Sequence, residues 1–290
     1  VAKLETTYRT TPMTNISVII PCYKCTSTLR NAVQSVSDAA AFAQKYHKLS
    51  EAAAKAIKSK THSTPFTIDV VIVIDGKDEE GFGEASTIAI EAQDHFADAV
   101  GVVDGFQVRV VERETNGGPA AARNTGVEQS LSPILFFLDA DDAYTQSHLI
   151  ECTKLLNQNR VFFAQTHIQI DLPNVVDEWA QRIETTIPSN KCVLRVVHEA
   201  VRGFPEDELF RTDGEDQFYF TALGELFLRA ESPPLDPPTV HYRCSGPDDD
   251  ENMLSMRARQ FQHPPEDYAK VVTKEQMERD KVVALYMRNR

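Results

Sequence analysis

Residues 134–142 have the sequence ILFFLDADD, in which an apolar run leads directly into Asp139-Ala140-Asp141-Asp142. An apolar run without polar alternation predicts a strand that is buried on both faces. Three carboxylates after such a strand repel one another, and their burial costs free energy unless a cation offsets the repulsion. Oxygen ligands suit Mg²⁺ or Mn²⁺, which bind through one or two carboxylates together with substrate phosphates. The segment therefore predicts a divalent-metal and phosphate site; the alternative is an acidic turn that caps the next helix.

The preceding sequence predicts three more buried strands, at residues 16–21, 70–74 and 108–111. Helical periodicity occupies the intervals, at residues 28–40, 51–60, 84–96 and 119–129. Strands that alternate with helices indicate an α/β fold with a doubly wound, mainly parallel central sheet and helices on both faces. In such sheets ligands bind beyond the carboxyl ends of the strands, where Pro21, Asp75 and Asp139 fall. We therefore expect these three segments to meet in one crevice.

Beyond Asp142 the alternation of strands and helices weakens. We expect a helix at residues 146–157, a strand at 161–170, a helix at 216–229, a stiff extended connector at 232–238, a solvated acidic loop at 248–251 and a charged terminal helix at 273–290. The helix at 216–229 would bury Phe218, Leu223, Leu226 and Phe227.

The composition of the chain limits the partners and the cellular location that we expect. The chain has 290 residues and a formal net charge of −13, without a dense run of Lys and Arg, so we expect no nucleic-acid partner. The sequence contains no apolar stretch of about 18 residues, so we expect no transmembrane helix. Five scattered cysteines argue against a disulfide framework and favour a cytoplasmic protein, either free or peripheral at a membrane. Cys22 and Cys25 form a CxxC pair, which is half of a zinc site, a redox pair, or two small residues in a turn.

Two further segments carry chemically useful groups. In residues 116–124, NGGPAAARN, the glycines allow a tight turn, and a helix N-terminus with Arg123 one turn inside it would face a phosphate. The alternative is a well-capped surface helix. In Gly214-Glu215-Asp216, one carboxylate can raise the pKa of the other and make it a general base. The alternative is a helix N-terminus that favours acidic residues.

In this order the segments resemble the family 2 glycosyltransferases of the GT-A fold, whose DxD motif matches Asp139-Ala140-Asp141. The matching segments are residues 16–23, 73–76, 116–118, 122–126, 137–142, 202–204 and 214–216, and the resemblance covers roughly residues 16–246. It implies a metal-dependent, inverting transfer of a hexosyl or N-acetylhexosaminyl group. The donor would be a nucleotide-diphosphate sugar, with a UDP-sugar favoured, and the acceptor a saccharide or another hydroxyl compound.

The resemblance also implies roles in binding the nucleotide. Pro21, Tyr23 and Asp75 would line the pocket for the base, and Arg123 would lie near the base or the diphosphate.

The acidic residues take the remaining roles that the resemblance implies. Asp139 would reach the ribose or the metal shell, and Asp141 would ligate Mn²⁺ or Mg²⁺. Asp216 would be the catalytic base, supported by Glu215.

Three positions depart from the family pattern. Ile74 stands where the family commonly has an aspartate, and Lys77 where a serine is usual. The family often has a histidine after a late Tyr-Arg pair, whereas here Cys244 follows that pair and His241 precedes it. His241 is the remaining metal candidate, with a structural histidine as the alternative.

By the same resemblance, a single GT-A domain comprises a nucleotide-sugar-binding half (1–142) and an acceptor-binding and catalytic-base half (143–246), followed by a C-terminal extension (247–290). Acceptor selection would lie in residues 172–190 and in the tail after residue 246. Two rival functions are a catalytically silent nucleotide-sugar-binding module and a nucleotidyltransferase. The latter needs a Gly-rich basic loop after the first strand, which Cys22-Tyr23-Lys24-Cys25 does not supply. The oligomeric state is left open.

Overall fold

The computed structural model describes residues 15–56, 67–76, 79–101, 105–172, 174–210 and 214–243. The strands are β1 (Asn15–Cys22), β2 (Thr67–Asp75), β3 (Phe106–Arg113), β4 (Ile134–Phe137), β5 (Ala143–Tyr144), β6 (Phe163–Gln165), β7 (Ile168–Ile170), β8 (Lys191–Leu194), β9 (Arg229–Glu231) and β10 (Val240–Tyr242). The helices are α1 (Thr26–Ala56), α2 (Glu79–Val100), α3 (Gly118–Glu128), α4 (His148–Asn159), α5 (Asp177–Thr186), α6 (Arg195–Ala200) and α7 (Glu215–Leu226), with a 3₁₀ turn at Glu208–Phe210.

A seven-stranded sheet with the order β3-β2-β1-β4-β8-β6-β9 forms the centre of the fold. Strands β3, β2, β1 and β4 are parallel, and β8 runs antiparallel to both of its neighbours. A smaller sheet has the order β5-β10-β7. The predicted α/β fold with a mainly parallel central sheet is therefore confirmed.

Helices pack on both faces of the large sheet. In β2, Val70 and Ile72 belong to the core that contains the apolar residues of α1 and α2, whereas Val71 and Val73 pack with Ala122 of α3. Successive side chains of a strand point to opposite faces, so a strand covered on both sides has no polar alternation. Each fully buried Val or Ile contributes roughly 1.5–3 kcal/mol to folding. This double burial explains the continuous apolar runs in the sequence.

Two elements differ from the sequence-based expectations in extent. Helix α1 is one helix of 31 residues instead of two segments, because neither Gly nor Pro interrupts it. The expected strand at 161–170 is divided between β6 in the large sheet and β7 in the small one. The chain changes sheets at Thr166, whose N–H donates to the carbonyl of Asn190 (3.0 Å), and His167, whose carbonyl accepts from the N–H of Thr239 (3.0 Å).

The predicted burial of Leu226 was wrong, since this residue is 64% exposed at the end of α7. The predicted burial of Leu223 is confirmed, and Phe218 and Phe227 are partly buried. Tyr219 and Phe220 complete the buried face of α7. The connector at 232–238 is not extended throughout, because the N–H of Asp236 donates to the carbonyl of Pro233 (2.9 Å) and closes a turn.

Some expectations concern parts of the chain outside the described residues, namely the acidic loop at 248–251 and the terminal helix at 273–290. Within the described ranges, none of the helices combines the length and the apolar composition needed to span a bilayer. The division of the domain at residue 142 stays a prediction; strands from both sides of that point pair in the same large sheet.

We predict that Gly126→Ala destabilises the protein, because α3 lies too close to the sheet for a larger residue. A Cβ at Gly126 would overlap Ile19 Cγ2 and lie 3.2 Å from Val73 Cγ2. Overpacking of this kind costs about 1–3 kcal/mol in the free energy of unfolding. The control is Gly83→Ala in α2, where a Cβ meets no atom within 4 Å among the described residues and where alanine favours the helix. Urea denaturation that shows equal stability for both variants would contradict this packing.

Candidate active site

The three predicted segments do meet at one edge of the sheet. β1 lies between β2 and β4 in the sheet order, and Pro21 pairs in register with Val73 of β2. On the other side, the N–H of Leu138 donates to the carbonyl of Ile19 (3.0 Å), which carries Asp139 to the end of β1. Pro21, Asp75 and Asp139 therefore lie at adjacent strand ends, as the alternation of strands and helices predicted.

Asp75 holds the glycine turn that precedes α3. Its side chain is 2% exposed, and its carboxylate accepts hydrogen bonds from the backbone N–H groups of Gly117 (3.0 Å) and Gly118 (2.8 Å) and from Arg113. Gly118 has φ +85°, a conformation that favours glycine. The carboxylate thus satisfies helix-terminal donors that would otherwise lack partners.

Tyr23 lies beside this turn and is 52% exposed. A hydrogen bond to the side chain of Asn116 and the nearby ammonium of Lys24 lower the pKa of its phenol. An exposed aromatic ring at a strand end is available for stacking with a planar ligand.

The acidic segment after β4 contains carboxylates in different environments. Asp142 is 1% exposed, accepts from Ser189 Oγ (2.6 Å) and from the N–H of Arg243 (3.0 Å), and has its pKa raised by burial and by Asp141 and Asp139. Asp139 and Asp141 are only partly buried. Asp142 therefore ties the segment to the residue that follows β10, whereas the other two carboxylates remain partly exposed.

The acidic segment can supply part of a metal site, in which the substrate supplies the remaining ligands. Among the residues that the structure describes, no three His, Cys, Asp or Glu side chains form a ready-made metal centre. Mg²⁺ and Mn²⁺ need only one or two protein carboxylates when substrate phosphates supply the other oxygens. Asp139 and Asp141 meet this requirement. His241 is exposed on β10, in register with Ala143 directly after the acidic segment.

Arg123 of α3 connects two of the predicted acidic sites. It is 3% exposed, and its guanidinium donates through Nη2 to Asp139 Oδ1 (2.6 Å) and through Nη1 to Glu215 Oε1 (2.8 Å). Burial alone would lower the pKa of Arg123, but the attraction of Asp139 and Glu215 outweighs it and raises the pKa. The segments around residues 139 and 215 are therefore fastened to one buried cation.

Asp216 lies at the start of α7, after Gly214 with φ +85°. It is partly buried, and it lines a cavity of about 890 Å³ between α5 and α7. Trp179, Arg182 and Tyr242 line the same cavity. The base predicted from the sequence thus lines this cavity and directly follows Glu215, which Arg123 binds.

Lys191 is a buried cation near the predicted base Asp216, and the sequence did not predict its burial. It is fully buried in β8, and its ammonium donates to the carbonyls of Glu184 (2.9 Å) and Ile187 (2.6 Å) and to Asn190 Oδ1 (2.7 Å). Burial lowers the pKa of Lys191 to about 7, against the attraction of Asp216 and Glu184. Nothing local in the sequence distinguishes this lysine from a solvent-exposed one.

The Cys22–Cys25 pair forms the turn between β1 and α1. The two sulfurs are 2.6 Å apart, and the carbonyl of Cys25 accepts from the N–H groups of Thr28 and Leu29 at the helix start. The contact with Cys22 and burial raise the pKa of Cys25, so the thiol stays protonated. Both residues therefore lie in the turn, and their sulfurs are close enough that the redox alternative stays open.

Comparison with solved structures identifies the fold. The chain is similar to TarS from S. aureus (residues 1–349), with a TM-score of 0.56 and 15% identity over 91% of this chain and 77% of that one. TarS in complex with UDP-GlcNAc gives a TM-score of 0.54 and 16% identity over 89% and 64%. The mannosyltransferase PcManGT from Pyrobaculum calidifontis, in complex with GDP-Man and Mn²⁺, gives 0.55 and 16% over 90% and 67%. No curated protein sequence matches the chain.

The sheet, its flanking helices and these neighbours define a protein of the GT-A fold. The profile described as "Glycosyl transferase family 2" matches residues 17–223. The chain therefore belongs to glycosyl transferase family 2.

We predict a pH dependence of stability that originates at Lys191. Its pKa is about 7 in the folded protein and about 10.4 in an unfolded chain, so the unfolded state binds more protons between these values. The free energy of unfolding should then rise with pH in this window, by up to about 1.4 kcal/mol per pH unit. Lys191→Met should lack this rise, although it leaves three acceptors without their donor.

The measurement is urea denaturation at several pH values between 7 and about 9.5. Lys154→Met serves as the control, because Lys154 is partly exposed and its pKa is raised. Its pH profile should run parallel to that of the parent protein. Parallel profiles for Lys191→Met and the parent would mean that Lys191 keeps an ordinary pKa.

Proposed function

We propose that the protein is a metal-dependent, inverting glycosyltransferase that moves a sugar from a nucleotide-diphosphate sugar to an acceptor hydroxyl. The observation that carries this proposal is the attachment of two acidic segments to one cation, since Asp139 and Glu215 both bind Arg123. One segment suits a diphosphate with its metal ion, and the other suits removal of a proton. A displacement at an anomeric carbon needs both functions at one place.

The nucleotide would bind at the ends of β1 and β2. Pro21 and the exposed ring of Tyr23 offer an apolar surface to the base, and Asp75 supports this site by holding the glycine turn. We favour a UDP-sugar that carries a hexosyl or N-acetylhexosaminyl group. The complexes of TarS with UDP-GlcNAc and of PcManGT with GDP-Man support donors of this chemical class.

Asp139 and Asp141 would hold Mn²⁺ or Mg²⁺, with His241 as a further candidate ligand. When bound, such a cation neutralises the charge that develops on the departing diphosphate. Asp139 keeps its orientation through Arg123, and its backbone N–H donates to Ser189 Oγ (3.3 Å). Asp141 is partly exposed, and the family resemblance assigns it to the metal directly, so we choose it to test the metal site.

Asp216 would accept the proton of the acceptor hydroxyl. As that proton leaves, the oxygen forms a bond to the anomeric carbon, and the bond from this carbon to the diphosphate oxygen breaks on the opposite face. A single displacement of this kind inverts the configuration and needs no covalent intermediate. Glu215 supports the base by fixing the start of α7 to Arg123.

The acceptor would enter through the cavity that Asp216 lines. Its wall combines aromatic rings at Trp179 and Tyr242 with polar groups at Arg182 and Gln217, a mixture that suits a saccharide. The volume of about 890 Å³ is large enough for more than one sugar ring. This location includes part of the segment 172–190, from which acceptor selection was expected.

A catalytically silent nucleotide-sugar-binding module is the second candidate, which the departure at Ile74 and the missing late histidine permit. The two functions differ in whether Asp216 matters for turnover. A cytoplasmic location, free or peripheral at a membrane, also stays a prediction from the cysteine pattern.

The metal site is tested by Asp141→Ala. We expect calorimetry to show that metal-dependent binding of UDP is lost while the fold remains, because removal of one carboxylate relieves repulsion in the metal-free protein. Glu128→Ala, an exposed acid in the last turn of α3, should bind UDP and Mn²⁺ as the parent does. If Asp141→Ala binds UDP and Mn²⁺ with unchanged affinity, the segment is an acidic turn and not a metal site.

The catalytic base is tested by Asp216→Asn. The amide keeps the shape of the side chain but cannot take up the proton, so sugar transfer should fall by roughly 10²- to 10⁴-fold while donor binding survives. Glu215→Gln should have a smaller effect. The measurements are product formation with a matched donor and acceptor and donor affinity for each variant. If Asp216→Asn transfers sugar at the parent rate, another residue is the base. If the parent protein binds donor without any turnover, the silent module is favoured.

A further inference from the structure

Arg123 is enclosed on all sides by groups of the protein. Its side chain is 4% exposed, and its guanidinium lies over the ring of Phe204, with 5.2 Å from Cζ to the ring centroid. Both terminal nitrogens donate to carboxylates, at 2.6 Å to Asp139 and 2.8 Å to Glu215. The remaining Nε–H is buried and has no acceptor among the described residues. The charged fork therefore faces protein carboxylates and an aromatic ring, with little surface left for a nucleotide.

The ring that covers Arg123 is itself held in place. Asn124, the next residue of α3, donates from Nδ2 to the carbonyl of Phe204 (2.9 Å) and accepts at Oδ1 from the N–H of Phe204 (2.9 Å). Gly203 has φ +73°, and a Cβ there would lie 2.6 Å from Asn124 Oδ1. The loop before Phe204 can approach α3 this closely only with glycine. Of these two consecutive residues of α3, Arg123 carries the guanidinium and Asn124 holds the ring that covers it.

The two carboxylates that Arg123 binds belong to different halves of the proposed reaction. Asp139 follows β4 on the donor side, and Glu215 precedes the proposed base Asp216 at the start of α7. The side chain of Glu215 is only 6% exposed, so Arg123 compensates a charge that water does not reach. A planar fork can bind two carboxylates at fixed angles, which a lysine cannot do.

We propose that Arg123 is a positioning residue for transfer, which holds Asp139 and Glu215 in a fixed relation and thereby aligns the donor site with the base, and that it is not a ligand for the nucleotide. This inference rests on the proposed function for its catalytic consequence. The contacts that carry it are within the protein and do not depend on any ligand.

Removal of the cation should act first on Glu215. In Arg123→Met the apolar side chain fills a similar space, but Glu215 is left as a buried, unpaired carboxylate next to Asp216. Repulsion would then displace the start of α7. Glu215→Gln removes this buried charge, so the double variant should recover part of what Arg123→Met loses. Recovery of this kind is the signature of two residues that act through each other.

The experiment measures kcat, donor KM and UDP affinity with Mn²⁺ for Arg123→Met, Glu215→Gln and the double variant, at a temperature at which all of them are folded. We expect Arg123→Met to lose roughly 10- to 100-fold in kcat at saturating donor, the usual loss when an orienting partner is removed. Donor KM and UDP affinity should change much less than kcat. The double variant should be faster than Arg123→Met.

Arg195→Met is the matched control. Arg195 is a partly buried arginine that donates to the carbonyls of Ser132 (2.9 Å) and Val127 (3.1 Å), at the far end of α3 from the glycine turn. Its removal should lower stability and leave kcat unchanged in the folded fraction. Equal losses of kcat in Arg195→Met and Arg123→Met would reduce Arg123 to an ordinary structural residue.

Two further outcomes would overturn the proposal. If Arg123→Met keeps its kcat but weakens UDP binding, Arg123 is a nucleotide ligand. If the losses from Arg123→Met and Glu215→Gln simply multiply in the double variant, the two residues act independently.

Failure of the proposed function itself would be recognised separately. Should the parent protein show no transfer, urea denaturation of the same variants still measures the coupling between Arg123 and Glu215. A double variant that is more stable than Arg123→Met would support the ion pair in an inactive protein, and a less stable one would contradict it.

Discussion

Buried negative charge is the constraint on which the active-site region depends. Glu215, Asp142 and Asp75 are each 5% exposed or less, and a buried carboxylate without a partner costs several kcal/mol. Each of the three is compensated differently. Arg123 neutralises Glu215, backbone N–H groups of the glycine turn and an arginine satisfy Asp75, and Ser189 binds Asp142, whose pKa is raised.

This compensation separates the acidic residues into two groups. The buried carboxylates hold segments of the chain together at the ends of the strands. Asp139, Asp141 and Asp216 are only partly buried, and Asp216 lines the adjoining cavity. Chemically identical side chains therefore lie in different environments, and burial decides which of them need a compensating partner within the protein.

Several residues of the family pattern have a packing reason. Gly118 adopts a positive φ at the turn that Asp75 binds, Gly126 allows α3 to approach β1 and β2, and Gly203 allows a loop to approach Asn124. These positions bring α3 close to the sheet on one side and to the loop before α7 on the other. Low identity to TarS and PcManGT is compatible with the same fold because such backbone requirements depend on few positions.

The sequence by itself determined the four parallel strands, the presence of helices between them and the meeting of Pro21, Asp75 and Asp139 at one edge. Apolar periodicity is a local property, and the carboxyl ends of neighbouring parallel strands necessarily share an edge. Only the tertiary structure decided that Arg123 binds Glu215, 92 positions away, and that Lys191 is fully buried. It also decided which face of α7 is buried, since Tyr219 contacts the core while Leu226 does not. Partners so distant along the chain are chosen by packing, and no spacing within the sequence records that choice.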